Sequence, residues 1–136
     1  MRVSAVTILL AFAINASGAV PVSEMQDELP EHPIPRLDVI DVHGVRKTGG
    51  SDLVIVIASP LRMDELSQGR LLKKIENYLN FITSKEYSAQ YGAPTQNKTA
   101  VVAHINSKSD AGIFELLEKC RPWVNDNHAS LQVEPL

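Results

Sequence analysis

Residues 53–57 read LVIVI, five consecutive aliphatic side chains of which four are β-branched. Branching at Cβ suits a pleated strand better than a helix. An unbroken apolar run without alternation predicts a strand buried on both faces. Residues 71–82 supply a matching surface. Leu71, Leu72, Ile75, Tyr78, Leu79 and Ile82 recur at helical spacing and form one apolar stripe. Lys73, Lys74, Glu76, Asn77 and Asn80 are expected on the opposite, solvated side. Asp64 is placed to cap this helix, and Gly92-Ala93-Pro94 ends the region.

Around this pair the other elements fall in order. Residues 37–46 (LDVIDVHGVR) are a predicted first strand, joined to residues 53–57 by a turn at Gly49-Gly50 into an antiparallel hairpin. Residues 99–105 (TAVVAHI) predict a third strand. A second helix begins at Ser109 or Asp110, with Ile113, Leu116, Leu117, Cys120 and Val124 as its stripe. Pro122 predicts a kink or a new turn there. Residues 129–134 (ASLQVE) close the chain as a fourth strand. The order ββαβαβ predicts an α+β two-layer sandwich, with a four-stranded mixed sheet and two helices on one face. A length of 136 residues and 44% hydrophobic residues suit one such domain over residues 37–136.

The first 36 residues differ in character. Arg2, the apolar run 6–14 (VTILLAFAI) and the small residues Ala16, Ser17, Gly18 and Ala19 have the three-part layout of a secretory signal peptide. The run is too short to span a membrane, which takes about 20 apolar residues. This reading places the mature chain in the periplasm or outside the cell. The rival reading is translation from Met25 and a cytoplasmic protein. Residues 20–36 carry Pro21, Pro30, Pro33 and Pro35 among Glu24, Asp27, Glu28 and Glu31. They are expected to form an extended, solvated linker that the fold does not need.

The helix LLKKIENYLNFITS, Leu71 to Ser84, together with Ile40-Asp41 and the hairpin leading to LVIVI, resembles a family of small uncharacterised bacterial α/β domains. The resemblance spans residues 38–136. It implies a fold and carries no known activity. The chain departs from the family pattern at Ala58-Ser59-Pro60-Leu61-Arg62-Met63, where an acidic, tryptophan-containing segment is usual, and at Glu76, where asparagine is usual.

Few residues are placed to carry chemistry. Asp41 and His43 lie two apart on the first strand and point to one face. With His104 they are the weak candidates for a catalytic or metal-binding group, provided that the first and third strands are neighbours. The bland alternative is a polar strand edge. His32 in the linker and His128 in the exit loop are not held for ligation. Cys120 is on an apolar stripe and reads as an inert thiol. Tyr78 and Trp123 are expected in the core or its rim, with their polar ends in water. Asn97-Lys98-Thr99 fits a glycosylation sequon. The chain has no nucleophile elbow, and its glycines lack phosphate-loop spacing. No cofactor motif is present. A net charge of −3 disfavours nucleic acid as a partner, and 5% aromatic residues are few for a base-stacking platform.

These features favour a non-enzymatic interaction or accessory domain, with a protein partner or a homodimer formed through a sheet edge. Two alternatives stand beside it. One is an immunity-type or regulatory partner of another protein. The other is a small metal-dependent hydrolase using Asp41, His43 and His104.

Overall fold

The computed structural model describes residues 26–136; the signal-type segment and the first part of the expected linker lie outside them. Four strands and three helices follow in the order β1 (Val42–Val45), β2 (Ser51–Ile57), α1 (Glu65–Ile82), α2 (Lys85–Tyr91), β3 (Thr99–Ile105), α3 (Ala111–Asp126) and β4 (Ser130–Pro135). The sheet order is β1-β2-β3-β4. The β1–β2 pair is antiparallel, and β2–β3 and β3–β4 are parallel. This is the expected α+β two-layer arrangement with a four-stranded mixed sheet, enlarged by one short helix.

β2 is the frame of the sheet. Ser51, Leu53, Ile55 and Ile57 point at the helices and are fully buried. Val54 and Val56 point the other way, and Val56 is 39% exposed. The expectation of burial on both faces is corrected here. Both helical crossovers return on one side, so the second face has no layer over it. The β1–β2 turn holds Gly49 and Gly50 at φ 94° and 92°. Gly50 is also needed for space, because a Cβ there would meet the Lys98 carbonyl oxygen at 2.0 Å.

α1 starts where Asp64 Oδ1 accepts from Ser67 N at 2.7 Å, as the sequence predicts. Its apolar stripe faces β2 and β3. Leu79, 1% exposed, sits mid-stripe in the core. Leu79→Ala should cost about 3 kcal/mol by lost transfer energy and the cavity left behind. Chemical denaturation measures it, and a cost below about 0.5 kcal/mol would show that the side chain is not a core element. After Ile82 the chain turns at Thr83. Ser84 then caps α2, its Oγ accepting from Tyr87 N at 3.1 Å. This separate helix has no sequence stripe of its own; Tyr87 is its one buried residue.

α3 runs through Pro122 as one helix, without the new turn that is one of the two outcomes the sequence predicts there. The side chain of its N-cap residue, Asp110, makes no bond to the helix. Asp110 Oδ2 accepts from Met63 N at 2.8 Å, and Ser109 Oγ accepts from Leu61 N at 2.9 Å. Both residues therefore pin the β2–α1 loop.

The largest departures from the sequence reading lie before β1. Strand pairing covers Val42–Val45 and not residues 37–41. Residues 26–36, expected to be extended linker, form a closed loop on the domain. Leu29 N donates to Pro35 O at 2.7 Å and Leu37 N to Asp27 O at 2.8 Å, around a bridge between Glu28 and Arg36. Ile34 and Leu37 enter the core at 2% and 1% exposure. The prolines that discourage regular structure also restrict the unfolded chain, which lowers the entropy lost when this loop orders.

One face of α1 grips this strap. Arg70 Nε donates to Ile34 O at 2.9 Å and its Nη1 to Gln26 O at 2.8 Å. Lys74 Nζ donates to Arg36 O at 2.5 Å and Val39 O at 2.9 Å, and Asn77 Nδ2 to Leu37 O at 2.8 Å. Arg70 is 0% exposed and Lys74 1%. Periodicity predicts Lys74 on the solvated side of the helix. The strap covers that side, and the ammonium is satisfied by its carbonyls.

His32 closes the strap onto the start of α1. Its Nδ1 accepts from Ile34 N at 2.9 Å, so the proton of the neutral ring sits on Nε2, 3.0 Å from Ser67 Oγ. Burial, then the positive Arg70, lower its proton affinity below the usual histidine range. The unfolded state therefore takes up a proton first as pH falls through about 6.5. Stability present above that pH should decline as pH drops toward the folded value. Burial lowers His43 as well, with the same sign. Denaturation midpoints between neutral and mildly acidic pH should fall for the native chain and fall less for His32→Asn. Parallel curves would show that His32 has no part in the pH dependence.

Candidate functional site

The three candidate residues stand on two strands that do not touch, because β2 lies between β1 and β3. Asp41 and His43 face the helices, as their spacing predicts. His104 is opposite Val56 and Glu134 on the uncovered face, where its Nε2 is 2.7 Å from Glu134 Oε1. The layer of the sheet separates the two histidines. Among the described residues no group of three or more His, Cys, Asp or Glu side chains is placed to hold a metal ion. The condition attached to the metal-site reading, adjacency of the first and third strands, is not met.

Asp41 is consumed by the fold. Its Oδ1 accepts from Lys74 Nζ at 2.9 Å and its Oδ2 from Val56 N at 3.0 Å. Its own amide donates to Tyr78 Oη at 2.8 Å, and that hydroxyl donates to Val54 O at 2.6 Å. Asp41 and Tyr78 thus continue the β1–β2 ladder with side-chain groups where the backbones part. Burial pushes the Tyr78 phenol far above its usual range. Its hydroxyl does not reach out to water, contrary to the sequence expectation.

His43 sits in the chain's aromatic cluster. Its ring centroid is 4.8 Å from that of Tyr91 and 5.6 Å from that of Phe81, both edge-on. Its Nε2 lies 2.9 Å from Ser51 Oγ, which accepts from Tyr87 Oη at 2.7 Å. Ser51 is fully buried. A serine beside an imidazole invites a nucleophile reading, but this hydroxyl has no surface and two neighbours already use it. The arrangement orients β1 against α1 and α2. Sequence reasoning missed Ser51, Tyr87 and Tyr91 because they converge on His43 only in three dimensions.

Cys120, Trp123 and Thr99, also singled out in the sequence, are all buried. Burial raises the Cys120 thiol to about 12, which leaves it unreactive. Trp123 is 3% exposed, so its indole nitrogen is buried and not in water as expected. Thr99, the third residue of the sequon, is 1% exposed within β3.

The two sheet edges are finished differently. At β4 the alternation set by Leu136, whose N donates to Ile105 O at 2.7 Å, turns the backbone N–H and C=O positions of Leu131, Val133 and Pro135 away from β3. Arg121 Nη1 donates to the Leu131 carbonyl, and Pro135 has no N–H. At β1, Arg46 N donates to Gly50 O at 3.0 Å, which fixes the alternation on that side. Gly44 and Val42 then pair with β2, and His43 and Val45 turn their N–H and C=O groups outward. Val42 is 49% exposed and Val45 58%. The β4 edge is blunted at Leu131 and Pro135, with Val133 between them still turning its N–H and C=O outward, whereas the β1 edge has no such covering group.

Fold and surface define a small two-layer α+β domain with one open sheet face and one open edge. The chain belongs to the family of unknown function DUF6572, whose model matches residues 33–136. The match begins inside the strap, one residue before the buried Ile34. No curated protein and no solved structure matches the chain. Among the described residues no helix is long and apolar enough to cross a membrane.

Proposed function

We propose that this domain is a non-enzymatic interaction module that engages a protein partner by strand addition at β1. The observation that carries the reading is the unequal finish of the two edges. Exposed edges are hazards that folded proteins cover or blunt. Here β4 is blunted at two of its three outward positions by Arg121 and Pro135, whereas β1 keeps the N–H and C=O groups of both outward residues beside Val42 and Val45, two of the most exposed apolar residues described. A bare, apolar edge is the feature that extended partners use, with main-chain bonds supplying affinity. The locked state of Asp41 and the buried Ser51 support the same reading, since neither is free to act on a substrate.

A photo-crosslinking residue placed at Val45 in the full chain, expressed in its native host, tests the proposal. It should capture a protein, identified by mass spectrometry, that the same residue at the exposed Glu115 of α3 does not. Equal capture at both positions, or none at Val45, would remove the edge from consideration.

A further inference from the structure

We infer that the partner at β1 is a second copy of this chain, paired antiparallel about a two-fold axis through Gly44. This rests on the strand-addition reading above and names the partner. The first observation is a glycine the fold does not need. Gly44 lies in an edge strand and is not among the positive-φ glycines. A Cβ there would meet Asp52 O at 3.8 Å, an ordinary contact. Glycine weakens a strand, and where neither turn nor space within the chain requires it, a common cause is the close approach of another backbone.

Register follows from the free backbone groups. Two β1 strands centred on Gly44 bring His43 opposite Val45 of the other copy, and Val45 opposite His43. Both outward residues of each strand then exchange N–H···O bonds. The two Gly44 residues form the close, non-hydrogen-bonded pair, with Cα atoms about 4.5 Å apart. Shifting the axis to His43 or to Val45 leaves part of this set unpaired.

Charge supports the same register. The segment DVHGVRK, residues 41–47, is acidic at its start and basic at its end. Antiparallel pairing about Gly44 keeps the two basic ends apart: Lys47, which is exposed, falls near Asp41 of the other copy, whose carboxylate is already paired with Lys74, and Arg46 falls against Val42. Parallel pairing would set like charges side by side. On the helix side Val45 would cover the partner's His43, which is half-buried, with its ring beside Phe81 and Tyr91. The product is one continuous eight-stranded sheet in which the blunted β4 strands are the outer edges.

The test uses the full chain in sedimentation-velocity runs over a micromolar concentration series. The native chain should sediment as a dimer. Val45→Pro removes an amide that β2 does not use, so it should give a monomer with an unchanged circular-dichroism spectrum. Gly44→Cys should form an intermolecular disulfide under mild oxidation, because the two-fold places these positions within bridging distance. Val42→Cys, set against Arg46, should not. Cys120 is fully buried and does not compete. A native chain that stays monomeric throughout overturns the inference, and so does a dimer that bridges through position 42 and not 44. Should Val45→Pro fail to fold, the cysteine pair decides alone. A monomer that still crosslinks a different protein at Val45 would sink self-pairing and leave the strand-addition reading standing.

Discussion

Lys74→Met should lower stability by about 3–5 kcal/mol, the scale found when one member of a buried ionic group is removed. Methionine keeps most of the length and apolar volume, so packing along α1 is nearly preserved. What goes is the ammonium and its bonds to Arg36 O, Val39 O and Asp41 Oδ1. Those acceptors are arranged around it and would be left with no donor in a site that is 1% exposed at Lys74. Asp41 would keep the Val56 amide but lose its counter-charge. Asp41→Asn should cost less, because the carbonyls still hold the ammonium. Urea denaturation of the two single variants and the double variant gives the coupling. A loss below about 1 kcal/mol for Lys74→Met would mean that water replaces the ammonium at little cost.

Lys74 also shows where sequence reading reaches its limit. Periodicity puts it beside Lys73 and Glu76 on the polar flank of α1, and that flank is real. Nothing local says that residues 26–41 will lie across it. Its partners are 33 to 38 positions away, so its burial is a tertiary fact. Arg70 is hidden in the same way. By contrast β2, β3 and the stripe of α1 are legible, because their apolar patterns leave little choice of period. α2 is not, since a seven-residue helix that buries Tyr87 alone leaves no stripe to find. For the candidate residues, alternation correctly puts Asp41 and His43 on one face. Their relation to His104 depends on strand order. The parallel pairing of β2 with β3 settles that order by inserting β2 between them. The edges are partly legible: an open four-stranded sheet must have two of them, but how each is finished depends on tertiary contacts such as Arg121 reaching the carbonyl of Leu131.

Deleting residues 26–36 should cost more than any of the single substitutions above, about 4–6 kcal/mol, a large part of a typical domain's stability. The composition of this segment, with its prolines and acids, argues for a tether whose loss is harmless. Its apolar contacts argue otherwise once their places are known, since Ile34 is 2% exposed and Leu37, just beyond the deletion, 1%. Removing Ile34 alone forfeits about 1.5–3 kcal/mol of burial. Arg70 would lose the carbonyls of Gln26 and Ile34, and bonds from a charged donor have a net worth of about 1.5–3 kcal/mol each. Lys74 would lose Arg36 O, and Leu37 would lose its amide bond to Asp27 O. Regained chain entropy offsets part of this sum, which is why the net figure is below the gross one. A domain of this size has about 5–15 kcal/mol in total, so the deleted chain should unfold well below the native midpoint and be cut readily by protease. Ile34→Ala, compared in the same assay, separates the apolar part from the hydrogen-bonded part. A deletion that leaves the midpoint within a few degrees would show that the strap rests on the domain without holding it together.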